Sequence, residues 1–246
     1  MSLLASDRQG DGPAFLWLHG FTQTRAAAAP FRSILAGTST VVTPDLPGHG
    51  ESAGIHGSLP ETAELLAHQI LTPPSAVGGY SFGGRVALHL ALAAPQEVSR
   101  LVLVSASLGI ADPVERAARR DSDNALAAHI RAVGSEQFLA EWLSLPLFAT
   151  LRPELVSARS TDAEGLASSL EHSGTGTQEY LGDAVSRLTM PVLVLCGERD
   201  TKFVAAAHEI CERVPNASLA VVPDAGHALH LERPEVAAAM VRDFLA

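Results

Sequence analysis

The stretch Gly78-Gly79-Tyr80-Ser81-Phe82-Gly83-Gly84 constrains this chain more than any other. It has the form Gly-x-Ser-x-Gly. Pro74-Ser75-Ala76-Val77 before it reads as a short buried strand. Arg85 to Ala94 after it is an apolar run of helix formers, closed by Pro95. Strand, tight turn and helix in that order need small residues at Gly79 and Gly83, where a Cβ would collide with nearby backbone. Such a turn holds the Ser81 hydroxyl clear of a sheet, above a helix N-terminus that favours negative charge.

The rest of the chain repeats that rhythm. Ala14-Phe15-Leu16-Trp17-Leu18 is a continuous apolar run, as a strand buried on both faces would be, and it leads into His19-Gly20-Phe21-Thr22. Thr38 to Thr43 predicts a second strand, ahead of Asp45-Leu46-Pro47-Gly48-His49-Gly50. Glu61 to Leu71 has helical periodicity, and Leu101 to Val104 is another buried strand. From about Asp112 to Ala184 no strand-like run appears. That segment reads as helices anchored by residues such as Trp142, Leu143, Leu147 and Phe148. Strands then resume at Pro191–Cys196 and Leu219–Val222, with a helix at about Phe203–Arg213 between them and a last helix from Pro234. Alternating strands and helices imply a mostly parallel sheet covered on both faces. The expected division is a core of residues 1–107 and 185–246 with a helical cap at 108–184. Ala26–Ala29 is the only low-complexity tract.

Length and charge narrow the function. The chain's 246 residues suit one large domain or a core with an insertion, and its net charge of −10 argues against nucleic acid or an anionic membrane as the main partner. No apolar run of about 18 residues free of charge and Pro is present, so no membrane span is expected. Met1-Ser2-Leu3-Leu4-Ala5-Ser6-Asp7 turns polar too early for a secretory leader. The two cysteines, Cys196 and Cys211, lack metal-ligand spacing, and a cytoplasmic, reduced protein is expected. No metal cluster and no Gly-rich phosphate cradle is visible, so no cofactor is expected.

Ser81, Asp200 and His227 each follow an apolar strand. In an open parallel sheet those strand ends share one edge, so the three can meet. A serine hydroxyl needs a base within hydrogen-bond reach, and the base needs an orienting carboxylate. Glu198 competes with Asp200 for the acid, and His19, His49 and His230 compete for the base. The backbone N–H groups of Phe82 and Phe21 are the candidate donors to a developing oxyanion.

With these parts in place the sequence resembles the α/β-hydrolase superfamily over essentially its whole length. The resemblance rests on His19-Gly20-Phe21, Asp45 to Gly50, Gly79 to Gly84 and Gly226-His227. Further details resemble the 2-succinyl-6-hydroxy-2,4-cyclohexadiene-1-carboxylate synthases of menaquinone biosynthesis. These are Arg85 after the serine turn, Gly197-Glu198-Arg199-Asp200-Thr201-Lys202-Phe203 around the acid, and in the cap Glu115-Arg116-x-x-Arg119, Trp142, Pro146-Leu147-Phe148 and Leu155-Val156-Ser157-Ala158-Arg159-Ser160. The resemblance implies loss of pyruvate from a cyclohexene bearing several carboxylates. Ser81 would act as a base toward a ring proton, and the oxyanion donors would hold the succinyl carbonyl oxygen.

The residues agree with that implication. Arg85, Arg119 and Arg159 could converge on one cleft, and arginine forks match carboxylates while keeping their charge when desolvated. Such a cleft would take a small anionic polycarboxylate. Tyr80 and Trp142 would contact the same substrate, and Arg25 is a further candidate for an anionic group. The loop Ser173-Gly174-Thr175-Gly176-Thr177 could let the cap close. Two other readings use the same residues: a hydrolase of small esters or of ring-cleavage carbon–carbon bonds, and a ligand receptor without catalysis. An intact Ser81, Asp200 and His227 argue against the receptor.

Overall fold

A computed structural model describes residues 3–156 and 158–246; Met1, Ser2 and Ser157 of the cap motif lie outside the described residues. Seven strands form one sheet in the order β1-β3-β2-β4-β5-β6-β7. They are β1 (Ser6–Gln9), β2 (Ala14–Leu18), β3 (Thr40–Pro44), β4 (Ser75–Tyr80), β5 (Val98–Val104), β6 (Val192–Gly197) and β7 (Ala217–Val222). All neighbours are parallel except β1, which runs antiparallel to β3. The chain passes from β3 on one side of β2 to β4 on the other. A crevice therefore opens at the carboxyl end of the central strands, where ligands bind in such sheets.

Side chains alternate across the sheet, as a two-residue period demands. Leu16, Leu18, Leu101, Leu103, Val192 and Val194 enter one buried cluster. Phe15, Trp17, Val102, Val104, Leu193 and Leu195 enter the other. The first is closed by α2 (Leu59–Gln69), α3 (Phe82–Ala93) and α6 (Thr201–Arg213), through residues such as Leu66, Leu88, Leu90 and Ile210. The second is closed by α1 (Ala29–Leu35), the short α7 (Leu229–Glu232) and α8 (Pro234–Leu245), through Phe31, Leu35, Leu229 and Val241.

Between β5 and β6 lie α4 (Pro113–Leu143) and α5 (Ala163–Ser173), joined by short 3-10 turns. Asp112 caps α4 by accepting from the N–H groups of Val114 and Glu115. Gly134, at φ 80° and ψ 167°, breaks α4 into two helical pieces. Ala127, Ile130 and Phe138 pack on Leu166, Ala167 and Leu170, so this segment has its own apolar seam. Among the described residues no helix is long and apolar enough to cross a membrane.

Two elements differ from the sequence reading. Helix α1 begins inside the alanine tract, and Pro30 sits in its first turn, where a missing N–H costs nothing. The strand before Ser81 runs on through Gly78 and Gly79 to Tyr80, so the helix starts directly at Phe82.

Candidate active site

Ser81 stands between the end of β4 and the start of α3. Its backbone takes φ 51°, a left-handed conformation that is costly for serine. Its own N–H donates to the Val104 carbonyl at 2.8 Å, and α3 follows at once. The glycines around it are needed for that turn. A Cβ on Gly79 would meet the Gly83 backbone, and one on Gly83 would meet the carbonyls of Leu18 and His19.

His227 comes from the loop after β7. Its Nε2 lies 3.0 Å from Ser81 Oγ, and its Nδ1 lies 2.6 Å from Asp200 Oδ2. Asp200, between β6 and α6, and His227 are both buried. A buried carboxylate can only accept, so Nδ1 carries the proton and Nε2 presents its lone pair to the serine hydroxyl. That chain of groups can draw a proton from Ser81 without leaving a buried charge unpaired. Glu198 is exposed and accepts from the Asp224 N–H at 3.2 Å. Both ring nitrogens of His19 and of His49 are engaged with backbone groups.

The N–H groups of Phe21 and Phe82 make no backbone hydrogen bond among the described residues. Phe82 opens α3, where the first N–H groups of a helix have no partner within it. Both residues line a cavity of about 420 Å³, together with Ser81 and His227.

The cavity also brings Tyr80, Arg85, Arg119, Trp142 and Arg159 together. Their surroundings differ. Arg119 donates to Asp123 at 2.7 Å, so its charge is already matched. Arg85 is buried and donates to the Gly174 carbonyl at 3.3 Å and to Gln178 Oε1 at 3.2 Å. Arg159 donates to Thr22 Oγ1 at 2.8 Å, and its buried Nε has no partner. Neither Arg85 nor Arg159 has a carboxylate partner among the described residues. Burial, with Arg119 nearby, lowers Arg85 to about 10, and burial lowers Arg159 too. Burial raises the Tyr80 phenol, which stays a neutral O–H. The indole Nε1 of Trp142 is buried without a partner. Unpaired buried donors of this kind are expensive unless an incoming ligand satisfies them.

Arg25 does not belong to this cavity. It is held by Asp7, Asp45 and Glu51, and Asp45 is fully buried. That cluster ties the loop after β2 to β1 and to the loop after β3, which corrects its reading as an anion ligand. The loop 173–177 lies against the cavity and is tied there by Arg85 and by the Gly176 N–H donating to Asp123 Oδ2 at 3.0 Å.

Sequence reasoning missed several supports. Ser105, at φ 48°, donates its hydroxyl to the His227 carbonyl at 2.9 Å. Glu232 accepts from the N–H groups of Gly226 and Ala228, one on each side of His227. The Phe203 ring lies 4.4 Å from the His227 ring. Of these, only Phe203 stood in a motif singled out from the sequence, the stretch around Asp200. Among the described residues no group of three or more His, Cys, Asp or Glu could hold a metal ion.

Burial also fixes an acid sensitivity. It lowers His19 to about 4; it lowers His49 to about 3, with His19 beside it; and it lowers His230 to about 3, with Arg159 and His227 nearby. An unfolded histidine titrates near 6.5. Below that pH the unfolded chain binds protons that the folded chain refuses, so stability falls as pH falls. Each of the three histidines removes about 1.4 kcal/mol per pH unit between its two values. Calorimetry at pH 7, 6 and 5 should show Tm declining at each step, with the steeper decline below pH 6.5. A Tm that is flat across this range would contradict the neutral burial of these rings.

Residues 15–240 match the alpha/beta hydrolase family. A Serratia proteamaculans protein named 2-succinyl-6-hydroxy-2,4-cyclohexadiene-1-carboxylate synthase is 33% identical over 249 residues, spanning 96% of this chain and 94% of that one. The solved structure of MenH from S. aureus superposes with a TM-score of 0.91 at 29% identity, covering 100% of this chain and 98% of that one. A thermophilic esterase from Thermogutta terrifontis, with malate bound, superposes with a TM-score of 0.85 at 27% identity, covering 98% and 92%.

Proposed function

Because this chain belongs to the alpha/beta hydrolase family and, within it, to the 2-succinyl-6-hydroxy-2,4-cyclohexadiene-1-carboxylate synthases, we propose that its cavity is a tricarboxylate site in which Ser81 works as a base. The enzyme is a lyase of menaquinone biosynthesis. It eliminates pyruvate from 2-succinyl-5-enolpyruvyl-6-hydroxy-3-cyclohexene-1-carboxylate. The observation that carries the reading of the site is the pairing of a hydroxyl–imidazole–carboxylate chain with the buried Arg85 and the half-buried Arg159, neither of which has a carboxylate partner among the described residues.

The chemistry follows from substrate and product. The proton on ring carbon 2 is acidic because the succinyl ketone is attached there. His227 Nε2 draws the Ser81 proton, and Ser81 Oγ takes the proton from carbon 2. The ketone oxygen gains charge and is met by the Phe21 and Phe82 N–H groups. The electron pair moves to form the 2,3 double bond, the 3,4 double bond shifts to 4,5, and the carbon–oxygen bond at carbon 5 breaks. The leaving group is the enolate of pyruvate, and the proton taken from the ring neutralises it. No water enters. Asp200 holds His227 in the required tautomer and offsets the charge it carries in between.

Arg85 and Arg159 meet carboxylates of the substrate, with Arg119 completing the set once Asp123 shares it. Tyr80 and Trp142 wall the ring, and their O–H and N–H groups donate to its oxygen substituents. In this reading residues 108–184 form a cap over a core of 1–107 and 185–246, and the partner is a small polycarboxylate rather than nucleic acid or membrane. Both cysteines are free, as a reducing cytoplasm keeps them.

Ester hydrolysis is the second reading, favoured by the likeness to the Thermogutta enzyme. Arg159 separates the two. Arg159→Ala should lower kcat/KM for pyruvate elimination by about 10²-fold or more, since it removes a guanidinium that meets a substrate carboxylate inside the cavity. The same change removes one hydrogen bond to Thr22, worth about tenfold at most on a neutral aryl ester. Steady-state kinetics on both substrates measure the ratio. Equal losses would assign Arg159 to structure alone and remove the basis for an anion site.

A further inference from the structure

The first oxyanion residue sits beside a strained one. Thr22, directly after Phe21, has φ 69°, a left-handed conformation that costs a β-branched residue energy. Such a turn persists only when its surroundings over-determine it. Here the Thr22 N–H donates to His49 Nε2 at 3.3 Å, its hydroxyl accepts from Arg159, and its carbonyl accepts from the Ser160 N–H at 2.8 Å.

His49 comes from the loop after β3, and its ring does more than accept. It stacks on the Phe82 ring, with centroids 5.5 Å apart and 27° between planes, and meets the Phe21 ring edge-on at 5.7 Å. Its Nδ1 is 2.9 Å from the Pro47 carbonyl, so Nδ1 carries the proton and Nε2 is free to accept. His19 does the reverse job. It comes from the loop after β2, and its Nε2 accepts from the Leu46 N–H at 3.0 Å, while its Nδ1 faces the Gly20 carbonyl at 2.9 Å. Each loop thus lends a histidine that accepts a backbone N–H from the other. The two rings touch edge to face at 5.0 Å.

We propose that His49 is a positioning residue for the oxyanion site: as a neutral acceptor it pins the Thr22 turn and so aims the Phe21 N–H, while its face sets the Phe82 side chain beside the second donor. The inference rests on the assignment of those two N–H groups to the developing oxyanion, and it goes beyond that assignment in saying what aims them. His49 does not touch substrate. Its effect belongs to the charged transition state rather than to binding of the carboxylates.

Two substitutions test the acceptor directly. Glutamine places an amide oxygen about where Nε2 lies, and asparagine places one about where Nδ1 lies. His49→Gln therefore keeps the bond to Thr22, and His49→Asn loses it while remaining polar. The probe is phenylboronic acid, which requires no knowledge of the substrate. Ser81 Oγ adds to boron, its proton passes to His227, and the negatively charged tetrahedral boronate directs one of its hydroxyl oxygens at the two N–H groups. His49→Asn should weaken boronate binding by about ten- to hundredfold and lower kcat for pyruvate elimination by a similar factor, with KM within about threefold. His49→Gln should stay within about threefold of wild type in both. Should the asparagine variant fail to fold, His49→Phe, which keeps the stacking and lacks the acceptor, carries the same expectation. Equal losses in the glutamine and asparagine variants would reduce His49 to packing, and unchanged boronate affinity in the variant without an acceptor would overturn the proposal. A wild type that binds boronate yet releases no pyruvate would sink the lyase reading and leave the His49 comparison intact.

Discussion

Ser81→Ala should lower pyruvate elimination by about 10⁴-fold or more in kcat, with KM within about threefold. The size follows from the removal of the group that takes the ring proton: enzymes stripped of the serine or the histidine of such a unit lose about as much as those stripped of all of it. The small change in KM follows from what remains. Arg85, Arg119 and Arg159 line the same cavity and do not depend on the serine hydroxyl. The fold should survive, because the backbone N–H of residue 81 still reaches the Val104 carbonyl and alanine tolerates the same φ about as well as serine does. Single-turnover measurement on wild type and variant reads the chemical step directly. A loss under about tenfold would mean that His227 takes the ring proton itself, and Ser81 would no longer be the base.

Asp200→Asn should cost about 10⁴-fold in kcat while leaving the structure nearly unchanged. The 2.6 Å contact from His227 Nδ1 to Asp200 Oδ2 keeps the proton on Nδ1. An asparagine amide that donates to Nδ1 would move the proton to Nε2, and the ring could then no longer accept from Ser81 at 3.0 Å. Asp200 also directly precedes α6, yet its side chain makes no capping hydrogen bond there. Stability and activity should therefore separate: Tm within a few degrees and turnover nearly gone. Thermal unfolding beside steady-state kinetics makes the comparison. Retained activity would move the orienting role to another acid, and Glu198 is the nearest in sequence.

The parts of the molecule legible in its sequence are those governed by one-dimensional rules. Strands β2 and β6, and β5 from Leu101 onward, announce themselves as unbroken apolar runs because a parallel sheet buries both faces. Helix α1 does not, because its N-terminus carries no capping side chain and lies in an alanine tract with no polarity to mark a face. Strand β1 is four residues, almost all exposed, and owes its existence to pairing with β3. The meeting of Ser81, Asp200 and His227 was readable, since three strand ends of one sheet share an edge. The partners of the arginines were not. Charge and position in sequence make Arg25, Arg119 and Arg159 look alike, but only packing hands Arg25 three carboxylates, gives Arg119 one and leaves Arg159 with a hydroxyl. The strain at Thr22 and the reciprocal histidines depend on contacts between separate loops, and no local pattern encodes them.

What separates this cavity from a hydrolytic one is that it ejects pyruvate rather than adding water. The most direct measurement follows pyruvate, by coupled oxidation of NADH with lactate dehydrogenase, together with the ultraviolet absorbance of the ring, on freshly generated 2-succinyl-5-enolpyruvyl-6-hydroxy-3-cyclohexene-1-carboxylate. One pyruvate should appear for each conjugated diene formed, at a rate far above the spontaneous one. Pyruvate release no faster than the spontaneous rate would contradict the claim and leave Ser81, His227 and Asp200 as a hydrolytic site.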